Sequence, residues 1–146
     1  MPPSLSCVGG FILYRRYKMS KKFKIKQNPT FKSKVDIPVV GGNSVEVEFE
    51  FKYLTRKELA KLYDDWHEKA KELNEFIRKD DVTLVELTNA EIDLQVCQVK
   101  DIVVGWDMDD EFNDENIEQL VDISVNIVGA ITTTYQKAYT EAKMGN

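Results

Sequence analysis

The chain reads as an α+β protein, with a small N-terminal antiparallel β-hairpin or sheet followed by a bundle of about four helices. Three observations predict this. Val45, Val47, Phe49, Phe51 and Tyr53 alternate with Glu46, Glu48, Glu50 and Lys52. That is the period-two pattern of a strand with one buried and one wet face. Gly41-Gly42-Asn43 just before it is a strong turn signal and makes the run the second arm of a hairpin. From Thr55 onward the apolar residues recur at three- and four-residue steps instead, as amphipathic helices require.

In chain order, Phe23-Lys24-Ile25-Lys26 alternates and is broken by Asn28-Pro29-Thr30. Val35–Val40 forms a short strand whose Pro38 suggests a sheet edge. Residues 35–40 should pair with 44–53, and 22–26 could join them, giving a β-element over 22–53. Thr55-Arg56-Lys57-Glu58 is a capping box, in which the Thr hydroxyl and Glu carboxylate each satisfy a free backbone N–H at a helix start. Behind it Leu59, Leu62, Tyr63, Trp66, Ala70, Leu73, Phe76 and Ile77 make one stripe, ending near Lys79. Val82–Leu87 is ambiguous between strand and helix start. Thr88-Asn89-Ala90-Glu91 is a second capping box, and Ile92, Val96, Val99 and Val103 form a stripe that should end at Gly105 as C′ residue. Asn113 can cap a short helix carrying Ile117, Leu120 and Val121. The last helix should run from about Ser124 to Lys143, with Ile127, Val128, Ile131, Tyr135, Ala138, Tyr139 and Ala142 along one side. The helical part therefore covers 55–143.

A chain of 146 residues with 42% hydrophobic and 31% charged residues makes one domain with one core. No run approaches the roughly 18 apolar residues of a membrane helix. Cys7 and Cys97 have no metal spacing, which fits a reduced compartment, and Cys97 should pack as a small hydrophobe. Residues 1–18 look foreign to the domain. Their charges follow the short apolar run Phe11–Tyr14 instead of preceding it, the wrong order for a secretory signal. Met19-Ser20-Lys21-Lys22 reads as a natural start, so 1–18 is expected to be a disordered extension and 19–146 the domain.

Charge is divided along the chain. From Arg15 to Lys34 there are nine bases and no acid; from Asp101 to Asp122 there are nine acids and no base. Two solvated surfaces are the plain explanation. Self-complementarity is the sharper one: Lys21, Lys22 and Lys24 of one copy would meet Asp109, Asp110 and Glu111 of another, head to tail. The domain is acidic overall and the basic stretch has no nucleic-acid reading motif, so a nucleic-acid partner is not expected.

A search for catalytic chemistry returns little. His67 is the one histidine, and no motif surrounds it. There is no Gly-rich phosphate loop, no nucleophile elbow and no His-Glu-x-x-His. Asp107, Asp109, Glu111, Asn113, Glu115 and Glu118 do fall at the ligand positions of an EF-hand loop. However, Phe112 stands where that loop needs Gly, and a helix begins inside it. The acids are instead placed well beside a helix N-terminus. No cofactor, metal or enzyme activity is expected. Trp106 can be a core plug at the bend or an exposed anchor for a partner, and its setting past a helix end favours the plug.

Val104-Gly105-Trp106-Asp107, the acid-rich turn through Phe112, the short helix 114–122 and the closing helix resemble the tail assembly chaperones of long-tailed bacteriophages. Phe49-Phe51-Tyr53-Leu54-Thr55 leading into Leu59-Leu62 is similar in style, and the likeness spans Met19 to Asn146. The resemblance implies a small acidic protein of the host cytoplasm without catalytic residues. Such a protein coats the long helical tape measure protein, self-associates, and gives way as tail tube protein polymerises. It would be absent from the mature virion. An ending at Gly145-Asn146 would suit the short form of a frameshifted pair. Helix-in-groove capture is the implied mechanism. Its candidate partner-binding residues are Trp106, Phe112, Ile131, Tyr135 and Tyr139. The alternative is a structural tail or connector subunit retained in the particle; a third is a small metal-dependent enzyme using the acidic turn.

Overall fold

The computed structural model describes residue 25 and residues 29–143. The extension expected at 1–18 and the strand expected at 22–26 lie outside the described residues, Ile25 apart. The hairpin is β1 (Thr30–Pro38) and β2 (Ser44–Lys52), antiparallel, with Phe31 opposite Phe51 and Val35 opposite Val47. β1 begins five residues before the predicted Val35, because Phe31-Lys32-Ser33-Lys34 continues the same alternation. It ends at Pro38, which has no N–H to extend a ladder. The chain then turns through Gly41 and Gly42 at φ 102° and 85°, a region open to glycine, and Val39 N–H closes the loop on the Asn43 carbonyl at 3.0 Å.

Helix α1 (Arg56–Ile77) starts at the predicted box: Thr55 N–H donates to Glu58 Oε1 at 2.9 Å and Glu58 N–H to Thr55 Oγ1 at 3.3 Å. Helix α2 (Leu84–Ile102) corrects the second one. Its box is Thr83 with Glu86, bonded at 2.9 and 3.1 Å, and Thr88-Asn89-Ala90-Glu91 lies inside the helix. Both sites carry the Thr-x-x-Glu spacing. The earlier start brings Leu87, Ala90, Leu94 and Cys97 into one half-buried stripe, which decides between them. Thr83→Ala should therefore cost about 1 kcal/mol in urea unfolding, while Thr88→Ala stays within roughly 0.5 kcal/mol. Bonds from the Thr83 backbone and hydroxyl hold the Glu86 carboxyl below its usual range. A depressed carboxyl stabilises above its unfolded pKa, so this cap is intact at neutral pH and is lost as pH falls through the depressed value.

The larger correction follows α2. The helix ends at Ile102, not at Gly105. Val103 is extended (φ −107°, ψ 136°), and Val103–Trp106 is β3, antiparallel to β2. Trp106 lies opposite Phe49, Gly105 opposite Glu50 and Val103 opposite Phe51, with a register shift between Glu50 and Phe51. Asp107 N–H extends the ladder to the Glu48 carbonyl at 2.9 Å. A β-branched pair followed by Gly-Trp suits a strand, and it pairs an edge of β2 that would otherwise be open. The sheet order is β1-β2-β3, so the third strand comes from the helical half.

α3 (Asp114–Ile123) is capped by Asn113 as expected, and α4 (Asn126–Lys143) follows after Ser124, whose Oγ accepts from Asn126 N–H at 3.2 Å. α4 crosses the inner face of the hairpin and buries Ile127, Val128, Ile131, Tyr135 and Tyr139 against Val35, Phe49 and Phe51. Val99, Ile102, Ile117, Leu120 and Val121 complete the core. α1 contributes no fully buried residue; Leu59, Leu62 and Trp66 reach the core edge. The far halves of α1 and α2 form an arm beyond it. A hairpin sheet with a third strand and four helices is the α+β class read from the sequence.

Candidate functional site

The acidic turn 107–113 is built around Trp106. Its indole N–H donates to the Asp110 carbonyl at 2.7 Å, and its ring meets Phe112 edge-on at 4.9 Å and Phe49 at 6.1 Å. Asn116 ties the turn to α3: its amide donates to the Glu111 carbonyl at 2.7 Å, and its N–H donates to Asn113 Oδ1 at 2.8 Å. Trp106 and Phe112 are half-buried, whereas Asp107, Asp109, Asp110 and Glu111 point to water. Trp106 is thus both a plug under the turn and the floor of a shallow slot with Met108, Leu120 and Ile123; Ile123 is 62% exposed. Among the described residues, no cluster of three His, Cys, Asp or Glu side chains is placed to hold a metal ion. His67 is exposed on α1, and Cys97 is half-buried and unpaired on α2.

Three of the predicted partner-binding residues belong to the core. Ile131 and Tyr135 are 0% and 1% exposed, and Tyr139 is 8% exposed. Tyr135 Oη donates to the Lys52 carbonyl at 3.1 Å, and Tyr139 Oη donates to the Leu54 carbonyl. Phe31 stacks on Tyr135 at 5.8 Å and Tyr53 on Tyr139 at 5.4 Å. The apolar stripe of the last helix faces the sheet and is covered by it. Lys21, Lys22 and Lys24 lie outside the described residues.

Uncovered apolar surface is found instead on the arm, where the sequence predicted none. Leu73 and Phe76 of α1 and Ala90, Leu94 and Cys97 of α2 line an open groove of about 390 Å³, with Lys69, Glu72 and Asp93 at its rim. Beyond it, at the tip, Ile77, Leu84 and Val85 are 41%, 76% and 69% exposed. The signal in the sequence was the surplus of apolar residues from Val82 to Leu87, more than one packed stripe can use. The near end of the arm is fixed, because Trp66 Nε1 donates to Asp101 Oδ2 at 2.8 Å.

The molecule thus carries an uncovered apolar groove between two helices and an acidic rim around a tryptophan. A family model described as phage tail assembly chaperone matches residues 19–146, and the chain belongs to that family. No curated protein and no solved structure matches it. Among the described residues no helix is long and apolar enough to cross a membrane.

Proposed function

We propose that this chaperone holds the phage tape measure protein by taking its amphipathic helices into the groove between α1 and α2. The observation that carries this is the arm itself: a two-helix element whose outer half exposes Ile77, Leu84 and Val85 and leaves Leu73, Phe76 and Leu94 half-covered. Soluble domains rarely leave such a surface without a partner. A client helix carrying apolar side chains at three- and four-residue steps would complete a three-helix packing and hide its own aggregating face. The hold is open and shallow, which suits a client that must later be given up to polymerising tail tube protein. Copies would also self-associate head to tail, as the divided charge suggests. The chain would act in the host cytoplasm and be missing from the finished particle.

The test is co-expression of the full chain with the tape measure protein of its genome, followed by solubility and pull-down assays and a search for the chain in purified particles. A soluble, co-purifying client and chaperone-free particles support the reading. An insoluble, unbound client overturns it, and stoichiometric chain in the particle favours a structural subunit.

A further inference from the structure

A second surface runs across the outer face of the sheet, away from the arm. Lys32, Glu48, Glu50, Gly105, Trp106 and Asp107 line a trough of about 290 Å³ there, while the Trp106 ring itself turns to the other face, against Phe49. Gly105 leaves the floor open at its middle: a Cβ there would meet nothing nearer than Glu50 Oε1 at 3.9 Å. Three of the four charged residues in its walls are acidic, and Lys32 stands opposite Glu50 in the register. Among the described residues the ion pairs are Lys34–Glu46 and Lys100–Asp114, so Glu48, Glu50 and Asp107 face the trough without a basic partner. Glu50 accepts only the Thr30 hydroxyl, at 2.7 Å.

We propose that this trough takes the chain's own segment Lys21–Lys26, with Phe23 and Ile25 laid over Gly105 and the lysines reaching the flanking acids. Three observations on different properties converge on this occupant. The first is charge: Lys21, Lys22, Lys24 and Lys26 match a surface lined by Glu48, Glu50 and Asp107. The second is pattern. Phe23 and Ile25 alternate with the lysines, so an extended segment presents both to one side, and lysine stems are long enough to bend their ammoniums back to the rim. Ile25 is 92% exposed in the structure, an apolar side chain still without cover.

The third is reach. Thr30 stands opposite Lys52, and Trp106 stands opposite Phe49 across β2, so the start of β1 is two strands and three residues from the trough's far wall, about 14 Å by strand spacing. Residues 21–29 span roughly 30 Å when extended. A tether this short sets an effective concentration in the millimolar range, so the chain's own segment outcompetes that of a second copy until copies are crowded. The head-to-tail contact then becomes an exchange of this segment between copies, favoured when many chaperones line one client. The inference does not depend on the arm groove holding a client.

The test is solution NMR of the full chain, compared with the variant Lys21→Glu, Lys22→Glu, Lys24→Glu, Lys26→Glu, at low and high salt. The expected result is a proton–proton contact between the Phe23 ring or Ile25 methyls and the Gly105 α-protons in the wild type. It should persist on roughly tenfold dilution and be lost in the variant and at high salt, together with shifts at Gly105 and Asp107. A wild type without that contact, whose Gly105 and Asp107 signals match the variant's, overturns the proposal. So does a contact that vanishes on dilution, which assigns the trough to a second copy. Client solubility in the co-expression assay reports on the arm separately, so the two readings can fail independently.

Discussion

Tyr135→Ala is expected to lower the stability of the domain by about 3–5 kcal/mol, the range for truncating a buried aromatic side chain, and so to unfold a large share of it near physiological temperature. Tyr135 is 1% exposed and lies where α4 meets both strands of the hairpin: 5.3 Å from Phe51, 5.8 Å from Phe31 and 5.9 Å from Tyr139 between ring centroids. Removing the ring opens a cavity between α4 and the hairpin. Tyr135→Phe separates packing from polarity, because it keeps the ring and deletes only the bond to the Lys52 carbonyl; about 1 kcal/mol is expected from that. Urea unfolding of the two variants checks both. A loss in Tyr135→Ala no larger than that in Tyr135→Phe would show that the ring is not packed as described.

The same side chain sets an alkaline limit. Burial, and then the neighbouring Tyr63 and Tyr139, push the Tyr135 phenol above its ordinary value. A group whose pKa is raised by folding binds its proton more tightly in the native state. Its contribution is therefore complete below the unfolded pKa of about 10 and is lost as pH rises beyond it. Tyr139 is shifted in the same direction, again mainly by burial. Tyr135→Phe should accordingly lose less stability above pH ~10 than the wild type does, although it starts lower.

Much of this fold was legible because single residues carried unambiguous local signals. The alternation through Phe49 and Phe51, the box at Thr55 and the Asn113 cap each specify a structure within four to nine residues, and each is present. What misled was competition between equivalent local signals. Thr83 and Thr88 both precede a glutamate by three positions, and only the burial of the stripe through Leu87, Ala90, Leu94 and Cys97 selects the first. Val103–Trp106 continues a helical stripe and also reads as four strand residues. The choice depends on the open edge of β2, some fifty residues earlier in the chain, which no local window contains. Site residues were harder for the same reason. The stripe of Ile131, Tyr135 and Tyr139 could face a partner or a sheet, and periodicity is identical in both cases. The arm was missed because exposure is a property of what is absent beside it. Leu84 and Val85 look like core residues until the fold shows nothing packed over them.

Leu73→Glu combined with Phe76→Glu is expected to weaken client binding by at least roughly 30-fold, about 2 kcal/mol, as for a central interface anchor. Each change puts a carboxylate where an apolar client side chain would lie, and burying an unpaired charge costs more than the lost contact alone. Part of any effect could come from loosening α1 against α2, since both residues are half-buried. A second pair answers that. Leu84 and Val85 are 76% and 69% exposed in the first turn of α2, where acids are favoured by the helix dipole. Leu84→Glu with Val85→Glu should therefore leave urea unfolding unchanged or slightly improved while still weakening the hold on the client. Binding measured by co-purification, with stability measured alongside, separates the outcomes. Loss of binding in both pairs with stability kept in the second assigns capture to the arm. Wild-type recovery of client by both pairs removes the arm from the mechanism.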